Sequence, residues 1–355
     1  FPTYNITILA PANPTVDLSV STNSASETGQ TAVTVTATAS SAVSGNQTVS
    51  LGVSGTGITA GDYTLSNTTI TIPNGQTAGS VTFTVVDDDV YEVPEIATLT
   101  ISNPSAGITL GTTVSQDVTI TDNDNAPNVH FTAAHFAGSE GGVQISIDRS
   151  GAPGNDFFVD LNSGAGGGES CTTTTDYIKP NSPLHFVAGE TNKTFTVQFC
   201  ADLIYEGNES FDIYLANPTG GAFVGAQNFA FMDAADNDTK PTFDISTAAT
   251  SFDEGVGTLT ITVNRTGAPG NDVSVDLGVG GGTATIGASC TAGVDYVGGG
   301  QHLLFPPGTT SVPYNITICN DAVTEPAETF TATLSNPQNP AAAQLGTTNT
   351  ETVTI

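Results

Sequence analysis

The sequence predicts an all-β chain of tandem two-sheet sandwiches, on three observations. Apolar and polar residues alternate with a period of two through Ala32–Ala39 (AVTVTATA), Ser80–Val86 (SVTFTVV) and Gly257–Asn264 (GTLTITVN), the pattern of strands with one buried face. No run of ten or more residues carries apolar positions at helical spacing, and Gly (39) and Pro (19) punctuate the alternating segments. The chain also repeats itself. Pro14-Thr-Val-Asp-Leu, Pro127-Asn-Val-His-Phe and Pro241-Thr-Phe-Asp-Ile open similar segments 113 and 114 residues apart, the length of one sandwich domain. These starts divide the 355 residues into 14–126, 127–240 and 241–355, with 1–13 left over.

The elements of each repeat follow in a fixed order. An acidic residue succeeds the opening strand: Glu27 in SASETG, Glu140 in GSEGG, Glu254 in FDEGVG. The second and third repeats then share Arg149-Ser-Gly-Ala-Pro-Gly-Asn-Asp156 and Arg265-Thr-Gly-Ala-Pro-Gly-Asn-Asp272, Gly- and Pro-rich runs that read as hairpin connections. An Asp-Tyr pair comes next: Asp62-Tyr63, Asp176-Tyr177, Asp295-Tyr296. Counting back from the Asn-Pro at Pro104, Pro218 and Pro337, three acidic positions coincide without a gap. They are Asp88, Asp202 and Asp321; Glu92, Glu206 and Glu325; Glu95, Glu209 and Glu328. The first two repeats close on Asp-Asn-Asp, at Asp122–Asp124 and Asp236–Asp238.

Taken together, the R-[ST]-G turn, the Asp-Tyr pair, the D-D-x-x-x-E-x-x-E segment leading to L-[SA]-N-P and the terminal D-N-D resemble the Calx-beta domain, over residues 14–355. The resemblance implies three tandem seven-stranded immunoglobulin-like sandwiches and calcium at one tip of each. It also spans two functional classes: calcium sensors of sodium/calcium exchangers, and repeats of surface and adhesin proteins.

Charge leads to calcium by a separate route. The chain has 35 acidic residues against 5 basic ones, a balance that repels nucleic acid and anionic membranes. Residues 1–126 hold eleven acids and no Lys or Arg. In a sandwich the connections cluster at two ends, so Glu27, Asp62, the run Asp87, Asp88, Asp89 and Glu92, and the linker acids Asp122 and Asp124 can share one tip. Two carboxylates about 4 Å apart repel by about 4 kcal/mol at the effective dielectric near a protein surface. A hard cation with six to eight oxygen ligands, Ca2+ in preference to Mg2+, relieves that repulsion. The competing reading is a solvated acidic surface, which accounts for scattered acids such as Asp17 but poorly for positions repeated three times. The second set (Glu140, Asp176, Asp202, Glu206, Asp236, Asp238) and the third (Glu254, Asp295, Asp321, Glu325) are thinner. Ala201 and Leu203, and Asn320 and Ala322, stand where the first repeat has Asp87 and Asp89.

The four cysteines fall at matching places in the last two repeats, 29 residues apart within each pair. This favours Cys171–Cys200 and Cys290–Cys319 over the other two connectivities; four buried thiols are the alternative. Disulfides imply an extracellular or cell-surface setting, and a disulfide at the tip could replace part of a metal's structural role.

Other signals carry less. His130, His135, His185 and His302 have no nucleophile motif beside them, and the runs Gly164–Gly168 and Gly278–Gly282 lack a P-loop Lys and read as flexible loops. No apolar run reaches the length of a membrane span. Eight N-x-[ST] sequons occur, at Asn5, Asn46, Asn67, Asn192, Asn208, Asn237, Asn264 and Asn315. Residues 1–13 read as the last strand of a preceding copy plus a linker, or as a strand (residues 1–9) donated to a neighbouring subunit's sheet to make a filament. The sequence thus points to a non-enzymatic, extracellular calcium-binding stalk, surface-layer or filament component. Its partners would be copies of itself or other surface proteins. A calcium-sensing module and a non-catalytic domain of a larger secreted enzyme are the alternatives.

Overall fold

The computed structural model describes residues 12–171, 175–322, 324–338 and 343–355. Three sandwiches follow one another, each around its own apolar core. The alternation sets the packing directly. In Ala32–Ala39 and Glu95–Ser102 every second side chain is buried, while the threonines and serines between them face outward. Val33, Val35, Phe83, Leu99 and Ile101 meet in the first core.

In the first sandwich one sheet has the order Tyr63–Leu65, Ala78–Val85, Ala32–Ala39, Thr15–Val20, Thr109–Leu110. The other runs Ser24–Ser26, Ser115–Thr121, Glu95–Ser102, Gln47–Thr56, Thr69–Ile72. These ten segments are seven strands, because the first, fourth and last each begin in one sheet and finish in the other. The first strand's second half, Ser24–Ser26, therefore pairs in parallel with Thr119–Thr121. That pairing sets Glu27 next to the end of the last strand, where its amide donates to Thr121 O at 3.2 Å.

The second and third sandwiches repeat the plan. In the third, the short parallel strand is reduced to a single parallel bridge between Ser251 and Thr354, and a 3-10 turn at Glu254–Val256 follows it. The Gly-rich runs are partly strand: Gly167–Gly168 pairs with Tyr177–Ile178, and Gly278 and Gly280 lie within Val273–Gly280. The R-[ST]-G-A-P-G-N-D runs are not hairpin connections. Val143–Ser150 and Phe157–Ser163 belong to opposite sheets, so the segment between them arches across the end of the sandwich.

Two local motifs have plain causes. Asn103, Asn217 and Asn336 of the three Asn-Pro pairs sit at φ 48°, 47° and 46°, a left-handed conformation that Asn tolerates better than other side-chain-bearing residues. Neighbours in an extended chain point to opposite sides, so in each Asp-Tyr pair the Asp faces the tip and the Tyr the core. Tyr63 stacks on Phe83, Tyr177 on Phe211 and Tyr296 on Phe330, with ring centroids 5.0, 3.5 and 4.6 Å apart. Among the described residues no helix is long and apolar enough to cross a membrane. The expected leftover or donated strand, residues 1–9, lies outside them.

Candidate metal centres

The first sandwich gathers its acids at the end from which the chain leaves for the second. Glu27 follows the half-strand Ser24–Ser26, Asp62 precedes Tyr63–Leu65, Asp87–Glu92 connects Ala78–Val85 to Glu95–Ser102, and Asp122 and Asp124 follow Ser115–Thr121. Two groups form. Carboxylate oxygens of Glu27, Asp122 and Asp124 lie within 4.8 Å of one another, as do those of Asp62, Glu92 and Glu95. Glu27, Asp62 and Glu95 are buried, with 2%, 6% and 5% of their surface exposed. Glu27 Oε2, Asp124 Oδ2 and Glu95 Oε2 are buried with no hydrogen-bond partner.

Backbone and hydroxyl donors hold the other oxygens in place. Asp122 accepts from the Glu92 and Asp124 amides at 2.7 Å each, which ties the linker to the loop. Asp88 accepts from Val90 N at 2.8 Å, and Asp62 from the Thr59 amide and hydroxyl. Asp87 accepts from Asn123 Nδ2 at 2.9 Å.

The electrostatics match this crowding. Burial, then the charges of Asp122, Glu92 and Asp88, push the Glu27 carboxyl from 4.5 to about 7. Burial, then Asp62 and Glu92, raises Glu95 to about 7. Glu92 is raised by burial and by Asp62, Asp88 and Asp122. Asp124 is raised by burial and by Asp122, Asp89, Asp88 and Asp87. The ion pairs found among the described residues include no acid of this sandwich. Arg149, the nearest basic residue in sequence, answers instead to Glu190 and Asp156.

The second tip repeats the first group almost atom for atom. Oxygens of Glu140, Asp236 and Asp238 lie within 4.8 Å of one another, and Glu140 Oε2 and Asp238 Oδ2 are buried without a partner. Asp236 accepts from the amides of Glu206, Gly207 and Asp238 at 2.8, 2.6 and 2.7 Å. Glu140 is raised to about 7 by burial, then Asp236, Asp238, Asp202 and Glu206. Glu209 reaches about 7 by burial, then Asp176 and Glu206. Replacing two exposed carboxylates with Ala201 and Leu203 leaves the buried group intact.

The third tip differs. Glu325 is raised by burial and by Asp295, Asp321 and Glu254, and Glu328 by a hydrogen bond with Asp295 and by burial. Among the described residues, no three-oxygen group forms around Glu254 or Asp295.

Glu95 and Glu209 are the tip residues that sequence reasoning left out of the ligand set, although their position repeats in all three copies. Each begins a core strand, at Glu95–Ser102 and Glu209–Ala216, and an inward-facing strand position reads as a core residue. The two disulfides flank the same tips. Cys171 is joined to Cys200 and Cys290 to Cys319, with Cα atoms 5.4 and 5.3 Å apart. Cys200 N donates to Asp176 O and Cys319 N to Asp295 O at 2.9 Å, as Val86 N does to Asp62 O in the first sandwich.

The histidines play no part at the tips. His135, His185 and His302 pair across strands with Asp233, Asp156 and Asp276, and His130 contacts Asn128.

Comparison with known proteins places these tips in context. The Calx-beta domain family model matches residues 12–124, 122–234 and 236–355. A human "FRAS1-related extracellular matrix protein 2" is 29% identical over 302 residues, covering 79% of this chain and 9% of that protein. The Drosophila melanogaster "Sodium/calcium exchanger Calx" is 26% identical over 167 residues, covering 46% of this chain and 17% of that protein. A crystal structure of "calcium binding domain CBD12 of CALX1.1" covers 59% of this chain and 95% of its own, at 19% identity and a TM-score of 0.27. The chain spans less than a tenth of the length of the matrix relatives it matches.

Proposed function

The chain belongs to the Calx-beta domain family, and from that premise we propose that it is an extracellular structural segment, not a catalyst, whose first two sandwich tips bind calcium. One observation carries the calcium reading. Buried carboxylate oxygens converge within 4.8 Å and five of them have no hydrogen-bond partner. At that separation each pair of charges repels by about 3 kcal/mol at an effective dielectric of about 20. The donor set is all oxygen, carboxylate-rich and built on loops, as calcium prefers.

In the first tip Glu27, Asp122 and Asp124, with Asp88 nearby, would hold one ion, and Asp62, Glu92 and Glu95 a second. In the second tip Glu140, Asp236 and Asp238 would hold one. Both Asp87–Glu92 and Asp122–Asp124 lie where the first sandwich meets the second, so a cation gripping both would stiffen that boundary. The two disulfides and the extracellular-matrix names of the relatives favour a secreted structural or adhesive role over an intracellular sensor.

Calorimetric titration of the metal-free full chain tests this reading. Saturable calcium binding that Asp122→Asn and Asp236→Asn each reduce is the expected result, with magnesium at least tenfold weaker. An absence of saturable binding would overturn the metal assignment. Small-angle scattering that is unchanged by chelator would overturn the stiffening.

A further inference from the structure

The two R-[ST]-G-A-P-G-N runs do more than connect strands. At the first boundary Gly154 N donates to Asp89 O at 2.7 Å. Asn155 then closes a two-way clamp on the backbone of one residue of the preceding tip: Tyr91 N donates to Asn155 Oδ1 at 2.8 Å, and Asn155 Nδ2 donates to Tyr91 O at 2.9 Å. Ala152 N donates to the linker at Asn125 O, 2.8 Å. The second boundary repeats each contact. Gly270 N meets Leu203 O at 2.7 Å, Asn271 clamps Tyr205 at 2.8 and 2.9 Å, and Ala268 N meets Thr239 O at 2.7 Å.

Four of the shared positions have their reason in this seat. Gly151 and Gly267 both sit at φ 87°, and a Cβ there would lie 2.5 Å from Ala126 O or 2.6 Å from Thr239 O. A Cβ on Gly154 would lie 2.6 Å from Asp89 O, and one on Gly270 2.5 Å from Leu203 O. The buried Arg149 and Arg265 donate to Ala152 O and Ala268 O and hold the arch in shape from beneath. Asn155 and Asn271 are only 8% and 6% exposed; their amide groups, once buried, need partners, and the backbone N–H and C=O of Tyr91 and Tyr205 supply them.

The first sandwich has the same arch without the same chemistry. Val43 O accepts from Gly75 N as Pro153 O does from Gly189 N, which fixes the alignment. Ala39, Ser41, Ser44 and Gly45 then stand where the other two have Arg, Gly, Gly and Asn. That arch turns inward: Gly45 N donates to Asn74 Oδ1 and Asn74 N to Asn46 Oδ1.

We propose that R-[ST]-G-A-P-G-N is a docking element that seats the tip of the preceding sandwich, so that its presence marks which boundaries in such an array are rigidly joined. The preceding tip is read through its backbone, at Asp89 O and at the N–H and C=O of Tyr91. The element therefore accepts different tip sequences, as Asp89-Val90-Tyr91 and Leu203-Ile204-Tyr205 illustrate. Two identical head-to-tail seats also impose the same rotation at both boundaries, the condition for a regular helical rather than a random succession. The first sandwich offers no such seat to another domain.

Amide hydrogen exchange on the full chain, run with calcium and again with chelator, tests the docking element separately from the metal reading. In the unaltered chain the Tyr91, Gly154, Tyr205 and Gly270 amides exchange slowly in both conditions. Asn155→Ala speeds Tyr91 and Gly154 at least tenfold and leaves Tyr205, Gly270 and the Ala32–Ala39 core strand unchanged; Asn271→Ala does the reverse. Tyr91 and Gly154 exchanging as open loop in the unaltered chain would overturn the proposal, as would no change in Asn155→Ala. Should Asn155→Ala unfold the second sandwich, Gly154→Ala substitutes, with the same expectation at Tyr91 and the same refuting outcome.

Discussion

Replacing Glu27 with Gln should stabilise the metal-free first sandwich and weaken its hold on calcium, two effects of opposite sign from one substitution. The carboxyl is raised from 4.5 to about 7, so above neutral pH the folded state carries a charge that it resists. That rise corresponds to about 3 kcal/mol, which solvent screening at an open tip reduces to about 1–2 kcal/mol. Gln keeps the volume and removes the charge, so at pH 8 the metal-free variant should gain about 1–2 kcal/mol. For a sandwich of this size that is roughly 4–8 °C in Tm. In calcium the ranking reverses, because Gln provides a weaker ligand next to Asp122 and Asp124; a tenfold loss of affinity corresponds to about 1.4 kcal/mol. Differential scanning calorimetry in chelator and in calcium, with Asp17→Asn as the control for general charge reduction, measures both. A metal-free Glu27→Gln protein less stable than its parent at pH 8, or one with unaltered calcium affinity, would refute the reasoning.

Other perturbations have equally definite outcomes. Glu27, Glu95, Glu140 and Glu209 are all raised to about 7, so between about pH 4.5 and 7 the folded state binds more protons than the unfolded one. The metal-free chain therefore loses stability as pH rises through that window, whereas calcium binding releases protons there and strengthens up to about pH 7; calorimetry in buffers of different ionisation heat detects the release. Replacing Cys290 and Cys319 together by Ser removes the closure of a 29-residue loop and should cost about 3 kcal/mol, confined to the third sandwich in denaturant unfolding. Gly55→Ala should cost at least about 2 kcal/mol, since φ is 145° and a Cβ would lie 1.8 Å from Ile96 O; a thermal midpoint within a degree of the parent's would contradict that geometry. The third sandwich should bind calcium at least tenfold more weakly than the other two, which chelator-dependent protection from exchange would show domain by domain.

Much of the site was legible because strand alternation and domain repetition are local properties of the chain. Glu27, Asp62, Glu92 and Asp122 fall at the ends of alternating segments, and a sandwich has only two ends. Glu95 was harder, because an acid at an inward-facing strand position carries no sign of what it faces. Only the approach of Asp62 from a distant loop, beside Glu92 three residues upstream, gives it a role. The near equality of the first two tips was also hidden. Counting carboxylates weighted the exposed Asp87 and Asp89 as heavily as the buried Glu27 and the half-buried Asp122 and Asp124, and burial is what decides the electrostatics.

The sequence by itself determined the class of fold, the three-fold repetition, the acidic tips and the spacing of the cysteines, because each is written within about a hundred residues of chain. The tertiary structure alone decided which oxygens meet and what the R-[ST]-G-A-P-G-N runs touch. Those contacts join residues like Asn155 and Tyr91, 64 positions apart and on separate sandwiches. No local pattern encodes which backbone atoms a folded neighbour will present.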